Sequence, residues 1–257
     1  MMRVDRWRAL WLLLVFALVP GAQAADLPET IERVTPSIVV IGTVAPLRQP
    51  KAEFRGTGFV IGDGRHVLTN AHVLPNPVEM KDKERLAVFS GAGREVQARG
   101  AEIVARDRRH DLAVLRFEGE RLPALKLAQG DGVRAGERYA FTGFPIGMVL
   151  GMHPVTHEAL ISSITPIAIP QGRARELDPA IIRQLDEPWD VFQLDGTAYP
   201  GNSGSPLYHP ATAEVVGVLN MVFVKGTKEN VLKEPSGIAY AIPIRHARPL
   251  VDEALSR

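Results

Sequence analysis

The run Gly56-Thr57-Gly58-Phe59-Val60-Ile61, then Gly62-Asp63-Gly64, then His66-Val67-Leu68-Thr69-Asn70-Ala71-His72 decides the fold. Asp-Gly between two short β-branched runs marks a tight hairpin, so the stretch reads as two antiparallel strands with His72 just past the end of the second. Working outward, the same texture of brief apolar runs bounded by Gly, Pro, Asn and Asp recurs. Further strands are expected at 37–44, 86–89, 112–117, 138–142, 191–194, 215–221 and 238–242. They do not alternate with long amphipathic helices, which argues against a parallel sheet and for an all-β barrel or sandwich. Helix is expected only at 27–34 and near the end, about 245–255. A chain of this length can hold two similar halves, with the break expected near 130–136.

The first residues follow another logic. Arg3, Arg6 and Arg8 precede the apolar run 9–19, then Pro20-Gly21 and Ala22-Gln23-Ala24, the pattern of a secretory signal peptide with cleavage after Ala24. The run is shorter than the roughly 20 residues a membrane span needs, so no stable membrane anchor is expected after cleavage. Localisation is therefore expected to be exported, periplasmic or secreted. Removing 1–24 takes away three basic side chains and one acidic, leaving a net charge of −1. Such a surface has no Lys/Arg excess to neutralise phosphates, and nucleic acid is not an expected partner. With no Cys, export brings no disulfides and thiolate zinc sites are excluded; no metal or cofactor is expected.

The strongest chemical signal is Pro200-Gly201-Asn202-Ser203-Gly204-Ser205-Pro206, a serine in a tight glycine turn directly before an apolar strand start. A hydroxyl needs a base to take its proton and donors for the oxyanion that develops on an acyl substrate. The amides of Gly201 and Ser203 are placed to be those donors. Alone, the heptapeptide is equally well an ordinary β-turn. Of seven histidines, His72 alone closes a strand hairpin; His66, His110, His153, His157, His209 and His246 read as ordinary surface or core histidines. Asp111, directly before the apolar run 112–115, would sit at the sheet rim facing His72, with Asp107 as a nearby competitor.

Thr69-Asn70-Ala71-His72-Val73, His110-Asp111-Leu112-Ala113-Val114-Leu115 and Gly201-Asn202-Ser203-Gly204 resemble, in order and spacing, the catalytic segments of HtrA/Deg-type serine proteases. Pro36-Ser37-Ile38-Val39, Gly143-Phe144-Pro145-Ile146-Gly147 and 237–243 extend the likeness over most of the chain. The resemblance implies the trypsin-like fold: two antiparallel six-stranded barrels, about 25–130 and 131–257, with the site between them. It implies Ser203 as nucleophile, His72 as general base, Asp111 as its orienting acid, and Gly201 and Ser203 as oxyanion donors. It places Thr197, Asn220, Met221, Val222 and Tyr240 around the primary specificity pocket, with no carboxylate at the position that selects Arg or Lys, so a small or aliphatic residue is expected before the cut bond.

Three departures stand out. Ser205 replaces a family glycine, and a left-handed backbone there would strain a serine by roughly 1–2 kcal/mol. Gly196 replaces a small side chain beside Asp195, which changes the pocket shape. Only residues 244–257 follow Pro243, too few for the peptide-binding PDZ domain of most HtrA proteins, so a stand-alone protease domain is expected. Between Ala25 and Glu53 there is no aromatic residue of the kind that holds HtrA trimers, and no oligomer is assigned. Protein or peptide substrates are the expected partners. The competing expectations are a peptide-holding, chaperone-like module with weak or no cleavage, and an ester or acyl hydrolase using the same three side chains.

Overall fold

The computed structural model describes residues 26–75, 83–93, 95–130, 132–145, 151–167, 188–220 and 237–257. The expected signal peptide, Met221 and Val222 lie outside the described residues.

A short helix, α1 (Leu27–Val34), opens the chain, capped by the Asp26 carboxylate, which accepts from the Leu27 amide at 2.8 Å. Six strands follow: β1 (Ile38–Val44), β2 (Ala52–Ile61), β3 (His66–Asn70), β4 (Arg85–Ser90), β5 (Gln97–Asp107) and β6 (Leu112–Phe117). They close into a barrel in the order β1-β2-β3-β6-β5-β4. The next six are β7 (Arg138–Gly143), β8 (Val155–Pro166), β9 (Asp190–Asp195), β10 (Pro206–Tyr208), β11 (Val215–Asn220) and β12 (Ile238–Pro243). They close a second barrel in the order β10-β11-β12-β9-β8-β7, every pairing within both barrels being antiparallel. A 3-10 turn (Ile244–His246) leads into the last helix, α2 (Arg248–Leu255), which returns to pack on β5 and β6 of the first barrel.

The expected strands are all present within a few residues of their bounds, and the 62–65 turn brings Ile61 opposite His66 as the Asp-Gly signal requires. The sequence reading passed over two strands, β5 and β8. Their side chains are mostly exposed or half-buried, so neither carries the apolar run that marks a strand, and both exist because neighbours on each side bond to them. By contrast β1, β3 and β6 are almost wholly buried. One face of each fills its barrel around Val39, Ile41, Val67 and Leu115, while the other packs outward in a second apolar layer with Phe59, Leu68 and Leu112. The second barrel fills itself around Phe141, Ile161, Leu194 and Leu219.

The β5–β6 turn positions the expected acid, and Asp107 builds it. Asp107 Oδ1 accepts from the amides of Arg109 (2.8 Å) and His110 (3.2 Å), and its Oδ2 lies 2.5 Å from His110 Nδ1. A short acid bonding its own backbone two and three residues on is a turn-forming device. It delivers Asp111 into the left-handed region at φ 54°, which costs a non-glycine residue about 1 kcal/mol. Two bonds to the Asp111 carbonyl offset that strain, from the Ala71 amide at 3.0 Å and Asn70 Nδ2 at 3.1 Å.

Burial pushes the Asp107 carboxyl up, but its bonds to the His110 ring, the His110 amide and the Arg109 amide outweigh burial and hold it below its ordinary value. A depressed folded value means stability that is present above the ordinary carboxylate range and lost as pH falls through the folded value. Replacing Asp107 by Ala should therefore cost about 1–3 kcal/mol near pH 7. The gap to the parent protein should narrow below about pH 4, as followed by urea unfolding at a series of pH values. A gap that stays constant down to pH 2 would contradict this role for the carboxylate.

Candidate active site

Asn70, the last residue of β3, pairs with Leu112, the first of β6, so the residues just beyond these strand ends share one rim of the first barrel. His72 stands there in a 3-10 turn (Ala71–Val73), and Asp111 stands opposite. The Asp111 carboxylate grips His72 twice: Oδ1 accepts the His72 amide at 2.8 Å, and Oδ2 lies 2.5 Å from the ring Nδ1. A carboxylate on Nδ1 fixes the tautomer that carries its proton there and leaves Nε2 with the lone pair of a base. Both side chains are only part-exposed, at 32% and 23%. Asp107, the alternative acid, is spent on its own turn and on His110.

The second barrel contributes a third grip. Asn220, at the end of β11, is wholly buried, and its Nδ2 donates to Asp111 Oδ2 at 2.8 Å. Asn220 is one of the residues expected around the specificity pocket, and its side-chain amide reaches Asp111. Of the other expected pocket residues, Tyr240 is half-buried and pairs across strands with Asn220 and Gln193, and Thr197 is half-buried just after β9. Gly196, directly before Thr197, lies against Ala159, where an added Cβ would approach the Ala159 Cβ to 3.0 Å.

Ser203 lies in a compact turn before β10. The Asn202 amide donates to the Tyr199 carbonyl and the Ser205 amide to the Asn202 carbonyl, each at 3.0 Å. Gly204 and Ser205 tie the turn to β11 through Gly204 N–H to Leu219 O (2.9 Å) and Leu219 N–H to Ser205 O (2.8 Å). Gly204 has φ 87°, and a Cβ there would stand 2.0 Å from the Thr57 carbonyl, so both torsion and space demand glycine. Seen from Gly56, an added Cβ would meet the Val73 methyls at 2.7 and 2.9 Å and the Ser203 carbonyl at 3.1 Å. The neighbour of His72 and the backbone of Ser203 thus meet across a single glycine of β2.

The turn holds Ser203 almost wholly buried, at 6% exposure, and leaves the amides of Gly201 and Ser203 uncommitted among the described residues. Gly201 has φ 103°, a conformation that suits glycine. Among the described residues no hydrogen bond joins Ser203 Oγ to His72 Nε2, and such bonds tighten when substrate enters. The conditional strain at Ser205 does not arise, since among the described residues the left-handed non-glycine ones are Lys83, Asp111 and Ala213. The Ser205 hydroxyl is instead buried against Gly143, where any Cβ would collide with it at 2.0 Å.

The sequence reading missed the residues that set this geometry from behind: Thr57, whose amide and hydroxyl reach the nucleophile turn, Asn70 on the Asp111 carbonyl, and Asp107 as turn builder. A buried polar residue in an otherwise apolar strand run, as at Thr57 and Asn70, was the available signal.

Comparison with known proteins agrees with this architecture. The solved serine endoprotease from Yersinia pestis superposes with a TM-score of 0.61 at 21% identity, covering 90% of this chain and 67% of that one, a likeness of fold. A protein of Halomonas elongata named "Probable periplasmic serine endoprotease DegP-like" is 28% identical over 98% of this chain and 55% of its own length. One of the same name from Pseudomonas putida is 31% identical over 77% of this chain and 34% of its own length. The chain thus spans about half or less of the length of these curated relatives. The model of the trypsin-like peptidase domain matches residues 56–218, a stretch that includes His72, Asp111 and Ser203. Matched over more than half its length, with two closed antiparallel barrels of six strands each, the chain belongs to the trypsin-like peptidase domain family.

Proposed function

We propose that the protein is an exported serine endopeptidase that cuts unfolded or exposed protein segments through an acyl-enzyme on Ser203. The observation that carries this is the doubly held His72–Asp111 pair beside a glycine turn whose Gly201 and Ser203 amides are uncommitted. His72 Nε2 takes the Ser203 proton as Oγ attacks the carbonyl, the two amides receive the oxyanion, and His72 then protonates the leaving amine. Water, activated by the same imidazole, hydrolyses the ester. Asp111 holds the ring and stabilises the imidazolium that forms at each proton transfer.

Thr197 and Tyr240 carry no charge, which supports a small or aliphatic residue before the cut bond. The names of the relatives support a periplasmic location, in keeping with the leader read at 1–24. Protein segments are the substrates these names point to.

A fluorophosphonate probe should label Ser203 in the folded mature protein, and Ser203→Ala should take no label and cleave unfolded casein about 10⁶-fold more slowly. Equal cleavage by the two proteins would refute the assignment. Asp111→Asn should lower kcat by about 10⁴ through the wrong imidazole tautomer. Asn220→Ala, which removes one hydrogen bond to a charged group, should lower kcat by about 10–100-fold with KM little changed. Full activity in the Asn220 variant, read by steady-state peptide hydrolysis, would show that Asp111 needs no help from the second barrel.

A further inference from the structure

One residue of the first barrel holds both sides of the nucleophile turn of the second. Thr57 on β2 is wholly buried, and every polar function it has is committed. Its amide donates to the Ser203 carbonyl at 2.9 Å and its carbonyl accepts from Thr69 Oγ1 at 2.7 Å. Its hydroxyl lies 2.7 Å from the Gly201 carbonyl and 3.0 Å from the Phe144 amide. The Phe144 N–H can only donate, so the hydroxyl accepts from it and must give its single proton to Gly201 O.

Peptide planes are rigid, so gripping a carbonyl orients a whole plane. The Gly201–Asn202 plane is held at both ends, its carbonyl by Thr57 Oγ1 and its N–H by the Tyr199 carbonyl at 3.0 Å. The Ser203–Gly204 plane is held through its carbonyl by the Thr57 amide. Between them lies the Asn202–Ser203 plane, which carries the Ser203 N–H and is therefore fixed from both sides. Gly201, at φ 103°, adjoins this assembly and offers no torsional resistance of its own. Among the described residues the buried Asn202 side chain makes no hydrogen bond that would anchor the turn.

We propose that Thr57 is a positioning residue for the reaction: its hydroxyl and amide lock the Gly201–Gly204 backbone so that the Ser203 amide aims at the developing oxyanion. This rests on the peptidase reading above. It also makes the oxyanion site a joint product of both barrels, since the amides belong to the second and the lock to the first.

The discriminating variants are Thr57→Val, which keeps the shape and loses the hydroxyl, and Thr57→Ser, which keeps the hydroxyl and loses a methyl. Thr57→Cys, with a weak donor of similar size, replaces the valine protein should that not fold. Two readouts are taken at a temperature where circular dichroism shows each protein folded: the rate of fluorophosphonate labelling with kcat and KM on a peptide ester, and amide hydrogen exchange over 199–205. Thr57→Val should label and turn over at least about 10-fold more slowly, short of or equal to the 10²–10³ expected for a lost oxyanion donor, with KM little moved. Exchange over 199–205 should quicken in the same protein, and Thr57→Ser should restore both readouts to near the parent values. A Thr57→Val protein that matches the parent in labelling rate and exchange overturns the lock. A parent that takes no label, with exchange still quickened by Thr57→Val, overturns the peptidase reading while the lock stands.

Discussion

The cleft depends on how the Asp111 carboxylate is held. That one group receives the amide and ring of His72 from its own barrel and the Asn220 amide from the other, so a single side chain sets the imidazole and ties the barrels together. It can do so only because its backbone is turned into the left-handed region, which carries the carboxylate back across the rim instead of along β6. The Asp107 turn and the two donors on the Asp111 carbonyl sustain that conformation. Strain held in place by surrounding bonds is the usual economy of functional sites.

The barrels meet with little slack. A Cβ on Gly204 of the second barrel would lie 2.0 Å from the Thr57 carbonyl and 2.4 Å from Thr69 Oγ1 of the first, while one on Gly56 would lie 3.1 Å from the Ser203 carbonyl and one on Gly143 3.0 Å from Thr57 Oγ1. The close approach of the two backbones lets Thr57 of β2 reach Gly201 and Ser203 directly, with no intervening side chain. In a chain without cysteine, such packing and hydrogen bonding must supply the order that disulfides provide in many exported proteins.

Asn202 and Ser205 are wholly buried, and the Asn202 amide atoms and the Ser205 hydroxyl find no hydrogen-bond partner among the described residues. They stand directly behind the proposed nucleophile and flank Ser203 and Gly204, whose own backbones are bonded to Thr57 and Leu219.

Much was legible in the sequence alone: the all-β class, the hairpin ending at His72, the glycine turn at Ser203 and the acid at Asp111 each follow from local chemistry, from turn residues, β-branched runs and the position of a charge before an apolar strand. Strands β5 and β8 were not legible, because neither carries a sustained apolar run and most of their side chains are exposed or half-buried. The sequence favoured Asp111 and kept Asp107 as a competitor; only the structure shows which carboxylate the turn consumes and which it presents to His72. The meeting of Asn220 with Asp111, and of Thr57 with Gly201 and Ser203, joins residues more than a hundred positions apart. Local pattern determines what each segment can become; only the closure of two barrels against each other decides which distant polar groups are buried together and must satisfy one another.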